Sequence, residues 1–192
     1  MTQRTVNQAS VQTDPMRDEL YIATIGYEAA SPTAFDEALM AAGVDVVVDV
    51  RAVAVSRRKG FSKTVLANRL EDQGLSYVHL RDLGDPKPGR DAARRGDFAA
   101  FRTIFDAHLT TDGARAALKS LEGIATSRRV ALLCYEAEAE TCHRSIVANH
   151  IANSANLSIV HLRVAGQANG NGRARADNHI GEGMAPPERQ IR

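Results

Sequence analysis

Cysteine is scarce in this chain: Cys134 and Cys142 are the only two among 192 residues. Two cannot build a disulfide framework, so the fold must rest on an ordinary core. Long apolar runs are absent as well, and the N-terminal segment lacks the basic, apolar and small-residue succession of a signal peptide. A membrane span is therefore not expected, and the cytoplasm, where thiols stay reduced, is the expected location. Internal repeats are missing too. So are several site signatures: the phosphate-binding P-loop, the dinucleotide fingerprint, G-x-S-x-G, HExxH and CxxC. No cofactor and no dedicated metal site is expected, and nothing in the sequence fixes an oligomeric state.

What is present is ordinary globular material with an uneven charge. Hydrophobic residues make up 44% and charged residues 24%, enough for one domain with a sizeable core. Residues 1–50 hold two Lys/Arg against eight Asp/Glu, whereas residues 51–95 hold eleven against five. The basic segment suits a phosphate-bearing small molecule or a nucleic acid, or else a solvated surface. Residues 1–19 are polar and aperiodic, and residues 166–192 are rich in Gly, Asn, Arg and Pro; both read as disordered tails around a domain at 20–165.

Within that domain, apolar runs alternate with helical stripes. Tyr21–Tyr27, Val44–Val50, Leu75–Leu80, Val130–Tyr135 and Leu157–Val164 read as strands. Ser31-Pro32, Ser62, Asp97, Asp112 and Thr141 read as helix starts, while Arg81–Arg95, with its Pro and Gly, reads as a loop. The expected fold class is α/β: a single domain with a mainly parallel five-stranded sheet and helices on both faces. Ligands of such sheets bind beyond the carboxyl ends of the strands.

The richest chemistry lies there, in LLCYEAEAETCHR, residues 132–144. With Thr141 as N-cap, Cys142, His143 and Arg144 would open a helix, whose free N–H groups favour anions and depress a thiol pKa. Cys142 is thus a candidate thiolate nucleophile, Glu136 and His143 are candidate proton carriers, and Arg144 is a candidate anion ligand. The plainer readings are a core role for Cys134 or Cys142, a cap or Glu136 pairing for His143, and an ion pair from Arg144 to Asp49 or Glu136. Metal binding by Cys134, Cys142, His143 and His79, or a Cys134–Cys142 disulfide, are further alternatives. Asp49, at the end of a buried strand, needs a partner; Arg51 is on the same side, and the pair is either structural or ligand-orienting. Tyr27 and His79 stand on the same rim, and Gly26 is read as a turn residue. SRRKGFSK and PKPGR offer Ser56, Lys87 and Arg90 as phosphate contacts.

In order, TIGYEAASPTAF, DVRAVAVSRRKGFSK, LSYVHLRDLGDPKPGR and ALLCYEAEAETCHR resemble the domain of unknown function 488 family, from about Tyr21 to Val164. Many members carry a proline in the loop after Asp-Val-Arg, where this chain has Ala54 or Val55. The resemblance implies a compact α/β fold and one shared site of Asp49, Arg51, Glu136, Cys142, His143 and Arg144. It implies no reaction. Together these features point to an enzyme acting on a nucleotide or nucleic acid at the Cys-His-Arg helix start, with a nucleic-acid-binding module or a Cys/His metalloprotein as alternatives.

Overall fold

The computed structural model describes residues 20–167; the segments read as tails lie outside them, apart from residues 166 and 167. Five strands form one sheet: β1 (Tyr21–Gly26), β2 (Val46–Asp49), β3 (Ser76–His79), β4 (Val130–Cys134) and β5 (Ser158–His161). Every pairing is parallel and the order is β3-β2-β4-β1-β5. The helices are α1 (Pro32–Ala41), α2 (Lys63–Glu71), α3 (Lys87–Arg94), α4 (Phe98–Leu109), α5 (Asp112–Ala125) and α6 (His143–Ala155). Among the described residues no helix is long and apolar enough to cross a membrane.

The side-chain alternation of the strands divides the core in two. Ala23, Ile25, Val47, Ala131 and Leu133 meet Phe35, Leu39, Leu66 and Leu70 of α1 and α2 on one face. Ile22, Val46, Val48, Val130 and Leu132 meet Phe105, Leu118, Leu121, Val147 and Ile151 of α4, α5 and α6 on the other. Burial on both faces is why β2 and β4 read as unbroken β-branched and aliphatic runs. The chain leaves β1 and β2 toward the α1–α2 face but leaves β4, which lies between them, toward α6 on the opposite face. Connections that diverge in this way open a crevice at the carboxyl ends of the strands.

Several local expectations are corrected. The stretch read as a loop contains a 3₁₀ turn at Arg81–Leu83 and helix α3. Its prolines do not oppose the helix: Pro86 is the N-cap residue and Pro88 lies in the first turn, where a missing N–H costs nothing. Helix α5 does open at Asp112 as expected, with Thr111 as its cap, whose hydroxyl accepts from Ala114 N. Ser62 makes no capping bond and instead pins Ser56, accepting from its N–H at 3.1 Å and donating to its carbonyl at 3.2 Å. Helix α6 is capped at Cys142 rather than Thr141. Residues beyond the expected domain end are also engaged: the Gln167 amide donates to Gly26 O at 2.9 Å and Glu28 O at 2.7 Å.

Candidate functional site

Strand β4 ends at Cys134 on the α4–α6 face, and the chain then loops through Glu136 to Cys142 and into α6. That loop is fixed from three directions. A Cβ on Gly26 would stand 1.8 Å from Glu136 O, so the glycine serves close backbone approach and not the turn read from sequence. Arg144, almost wholly buried, donates to Glu136 O at 2.6 Å and to Ala137 O at 3.0 Å. The Glu28 carboxylate accepts from Ala137 N at 3.1 Å. Arg144 thus forms neither of the ion pairs considered from sequence; its charge clamps main-chain carbonyls.

The loop delivers four reactive groups to one point. Both thiols donate to the same Glu136 Oε2, Cys134 at 3.0 Å and Cys142 at 3.2 Å. His143 Nδ1 lies 3.8 Å from each sulfur. Its Nε2 is 2.9 Å from Val50 O, a pure acceptor, so Nε2 carries the proton and Nδ1 faces the thiols. The ring is held against Phe105, with centroids 5.3 Å apart. Both sulfurs and the imidazole are buried.

Crowding these groups redistributes their protons. Burial opposes ionisation of Cys142, but a hydrogen bond from Cys134 and the adjacent His143 charge bring its pKa well below that of an ordinary thiol. The hydrogen bond to Cys142 and then burial push Cys134 well up. Burial works against a charged His143, yet the Cys142 charge and hydrogen bond, with help from Val50 O, lift it to about 9. Burial and the Cys142 charge raise Glu136. Of the two thiols, Cys142 is the more readily ionised, with His143 favouring its charge, and Cys134 the less.

Asp49 and Arg51 assemble separately, on the α1–α2 side of β2. Asp49 is fully buried and accepts from Arg51 N at 3.0 Å, Nε at 2.8 Å and Nη2 at 2.6 Å, and from the Tyr77 hydroxyl at 2.5 Å. The other guanidinium nitrogen of Arg51 donates to Tyr27 Oη and to Phe61 O, both at 2.9 Å. Tyr27 also stacks on Phe61 at 4.5 Å between ring centroids. Burial and the Asp49 charge push the Tyr77 phenol pKa up against the opposing pull of Arg51. His79 Nε2 bonds Arg51 O at 2.9 Å. Four of the five guanidinium N–H groups of Arg51 are taken by Asp49, Tyr27 and Phe61, so this group braces the strand ends. It meets the cysteine cluster through Val50, the residue between Asp49 and Arg51.

Both groups border a pocket of about 420 Å³ in the crevice, with Cys134, Glu136 and His143 among its lining residues beside Tyr27 and Arg51. Ser56 and Arg90 line it as well, whereas Lys87 is not among its lining residues and pairs with Asp91 at 2.7 Å. Arg57 and Arg58, from the SRRKGFSK loop read as phosphate-facing, also line it, together with Asp85, Arg94 and Tyr135, which sequence reasoning missed. Arg58 donates to Ala30 O at 2.6 Å and leaves a buried Nε without a partner. Asp85 is 6% exposed, its Oδ1 has no partner, and burial raises its pKa. Gly84 brings it there: a Cβ on that residue would stand 2.1 Å from Ala52 N, so the two loops touch backbone to backbone. An acidic residue between Gly and Pro in a basic loop was the available signal for Asp85.

The fold and site together define a doubly wound α/β protein with a buried cysteine–histidine centre beneath a pocket lined by arginines. The chain belongs to the family described as "Domain of unknown function DUF488", whose profile matches residues 31–151. That span runs from α1 into α6; it includes Asp49, Arg51 and the whole cysteine loop and stops short of β1 and β5, which the sequence resemblance had included. No curated protein and no solved structure matches the chain.

Proposed function

We propose that this protein is an enzyme acting on a phosphate-bearing ligand, a nucleotide or the exposed nucleotide of a nucleic acid, held in the pocket above the cysteine–histidine centre. The observation that carries the reading is the pocket lining: Arg57, Arg58, Arg90 and Arg94 stand in the same cavity as Cys134, Glu136 and His143. Guanidinium groups match phosphate geometry, and the partnerless Nε of Arg58 has a hydrogen bond to give. Exposed Val53, Val55 and Tyr135 supply apolar area for a base or sugar. Glu136, whose carboxyl holds its proton above the usual range, is the proton carrier, and the Cys142–His143 pair is the electron-rich centre. Asp49, Arg51, Tyr27 and His79 position the strand ends, and the anion grip assigned to Arg51 and Arg144 from sequence passes to Arg57 and Arg58.

Titrating reduced, chelator-treated protein with nucleoside monophosphates and short oligonucleotides tests this. Binding is expected to weaken about tenfold or more when Arg57 and Arg58 are both changed to Ser, the loss of charge-assisted bonds worth ~1.5–3 kcal/mol. Glu136→Gln should preserve binding and abolish turnover. No binding by any phosphate compound, or affinity indifferent to both arginines, would refute the reading. Oligonucleotide binding that falls steeply with salt and survives Cys142→Ala and Glu136→Ala, without turnover, would instead favour a nucleic-acid-binding module.

A further inference from the structure

The two cysteines and His143 come from a strand end and a helix start eight residues apart in sequence, yet their donor atoms converge. Both sulfurs and the histidine nitrogen lie within 4.8 Å of one another. Two features exceed what a reactive thiol pair needs. First, the spacing is that of ligands around one small ion. Bonds of ~2.3 Å to sulfur and ~2.0–2.1 Å to nitrogen at tetrahedral angles place N and S about 3.6 Å apart; His143 Nδ1 is 3.8 Å from each sulfur. Second, the imidazole is oriented as a ligand. Its Nε2–H is committed to Val50 O at 2.9 Å, so Nδ1 is the nitrogen that faces the sulfurs and gives its lone pair to an ion once its proton leaves. Ligating histidines characteristically anchor their other ring N–H on a carbonyl or carboxylate in this way.

We infer that Cys134, Cys142 and His143 form a binding site for one soft divalent metal ion of the Zn²⁺ type, with its fourth position opening into the arginine-lined pocket beside Glu136. Two thiolates and an imidazole suit Zn²⁺, and three protein ligands with one open position are the arrangement of catalytic zinc. Cys134, Glu136 and His143 all line the pocket, so a ligand there reaches the open position. Glu136 Oε2, now the acceptor of both thiols at 3.0 and 3.2 Å, is placed to take one of the two protons that the sulfurs release when the ion binds, the other passing to solvent. His79 is not part of the set, since its Nε2 is bonded to Arg51 O at 2.9 Å. The inference rests on the pocket reading only for what the open position would meet; the metal site stands on the cluster itself.

Cobalt(II) titration of the reduced, metal-free full chain tests it directly. The expected result is saturation at one equivalent, with a near-ultraviolet thiolate-to-cobalt charge-transfer band and the intense visible bands of a tetrahedral ion, both erased by one equivalent of Zn²⁺. Cys134→Ser and Cys142→Ser should each weaken Zn²⁺ binding, measured by chelator competition, by more than the ~10–100-fold typical of disturbing a ligand's hydrogen-bond partner. Lys87→Ala should leave it unchanged. A spectrum without charge-transfer intensity in folded, fully reduced wild-type protein overturns the inference, as does zinc affinity indifferent to both cysteines. The wild-type spectrum decides even where a variant fails to fold. Protein that binds nucleotide but not cobalt sinks only the metal site; protein that binds cobalt but no phosphate compound sinks only the pocket reading.

Discussion

Asp49 closes β2 as a fully buried carboxylate. A carboxylate inside a run of valines cannot remain unpaired, and the two-residue strand period puts Arg51 on its side. The pair is observed, at 2.6 Å, with both side chains buried. What the sequence could not show is that Tyr27, Tyr77 and Phe61 also bond to the pair, because those contacts join three separate segments of the chain. Arg144 was illegible for the same reason: its partners are carbonyls, which leave no trace in residue identity. Replacing Arg51 with Met should strand Asp49 in the core and destabilise the protein by about 3–5 kcal/mol. Tyr77→Phe removes only one hydrogen bond to that carboxylate and should cost about 1–3 kcal/mol. Urea unfolding at neutral pH measures both, and equal midpoints for Arg51→Met and wild type would contradict this account of the brace.

At the scale of elements, local signals served where the element's stability is local. Ser31 and Asp97 cap α1 and α4 as their side chains predict, accepting from Ala34 N at 3.1 Å and Ala100 N at 3.0 Å. Helix α3 escaped notice because its only buried residues are Gly89 and Ala92, too few for an apolar stripe; packing against α4 holds what periodicity does not announce. The cysteine loop is the converse case. Its residue types declared a site, but its shape depends on Gly26 in another strand lying under Glu136 O. Gly26→Ala should therefore destabilise the protein by about 1–3 kcal/mol or more through overpacking. By pushing Glu136 away from the thiols it should also lower zinc affinity in the chelator competition. An unchanged melting temperature would show that the loop can shift freely.

For the whole molecule, the class was legible and the topology was not. Five apolar runs separated by helical stripes imply a parallel sheet, whereas the order β3-β2-β4-β1-β5 depends on which faces the crossovers choose. That order carries the functional geometry. With β4 between β1 and β2 and its helix on the opposite face, one crevice collects Tyr27, Arg51, the Arg57–Arg58 loop and the cysteine centre. The family resemblance had united Asp49, Arg51, Glu136, Cys142, His143 and Arg144 in one site; in the molecule the Asp49–Arg51 brace and the cysteine cluster stand on opposite sides of β2, meet at Val50 and border one pocket, with Arg144 clamping the loop between β4 and α6. The basic segment likewise resolves into individual positions, with Arg57, Arg58, Arg90 and Arg94 at the pocket and Lys87 outside it.

The most direct test of the central claim is a crystal structure of the reduced protein with a nucleoside monophosphate bound. The account predicts a phosphate within hydrogen-bond reach of Arg57 or Arg58 and the rest of the ligand directed toward Cys134, Glu136 and His143. A nucleotide bound on another face of the molecule, with this pocket filled only by solvent, would contradict it.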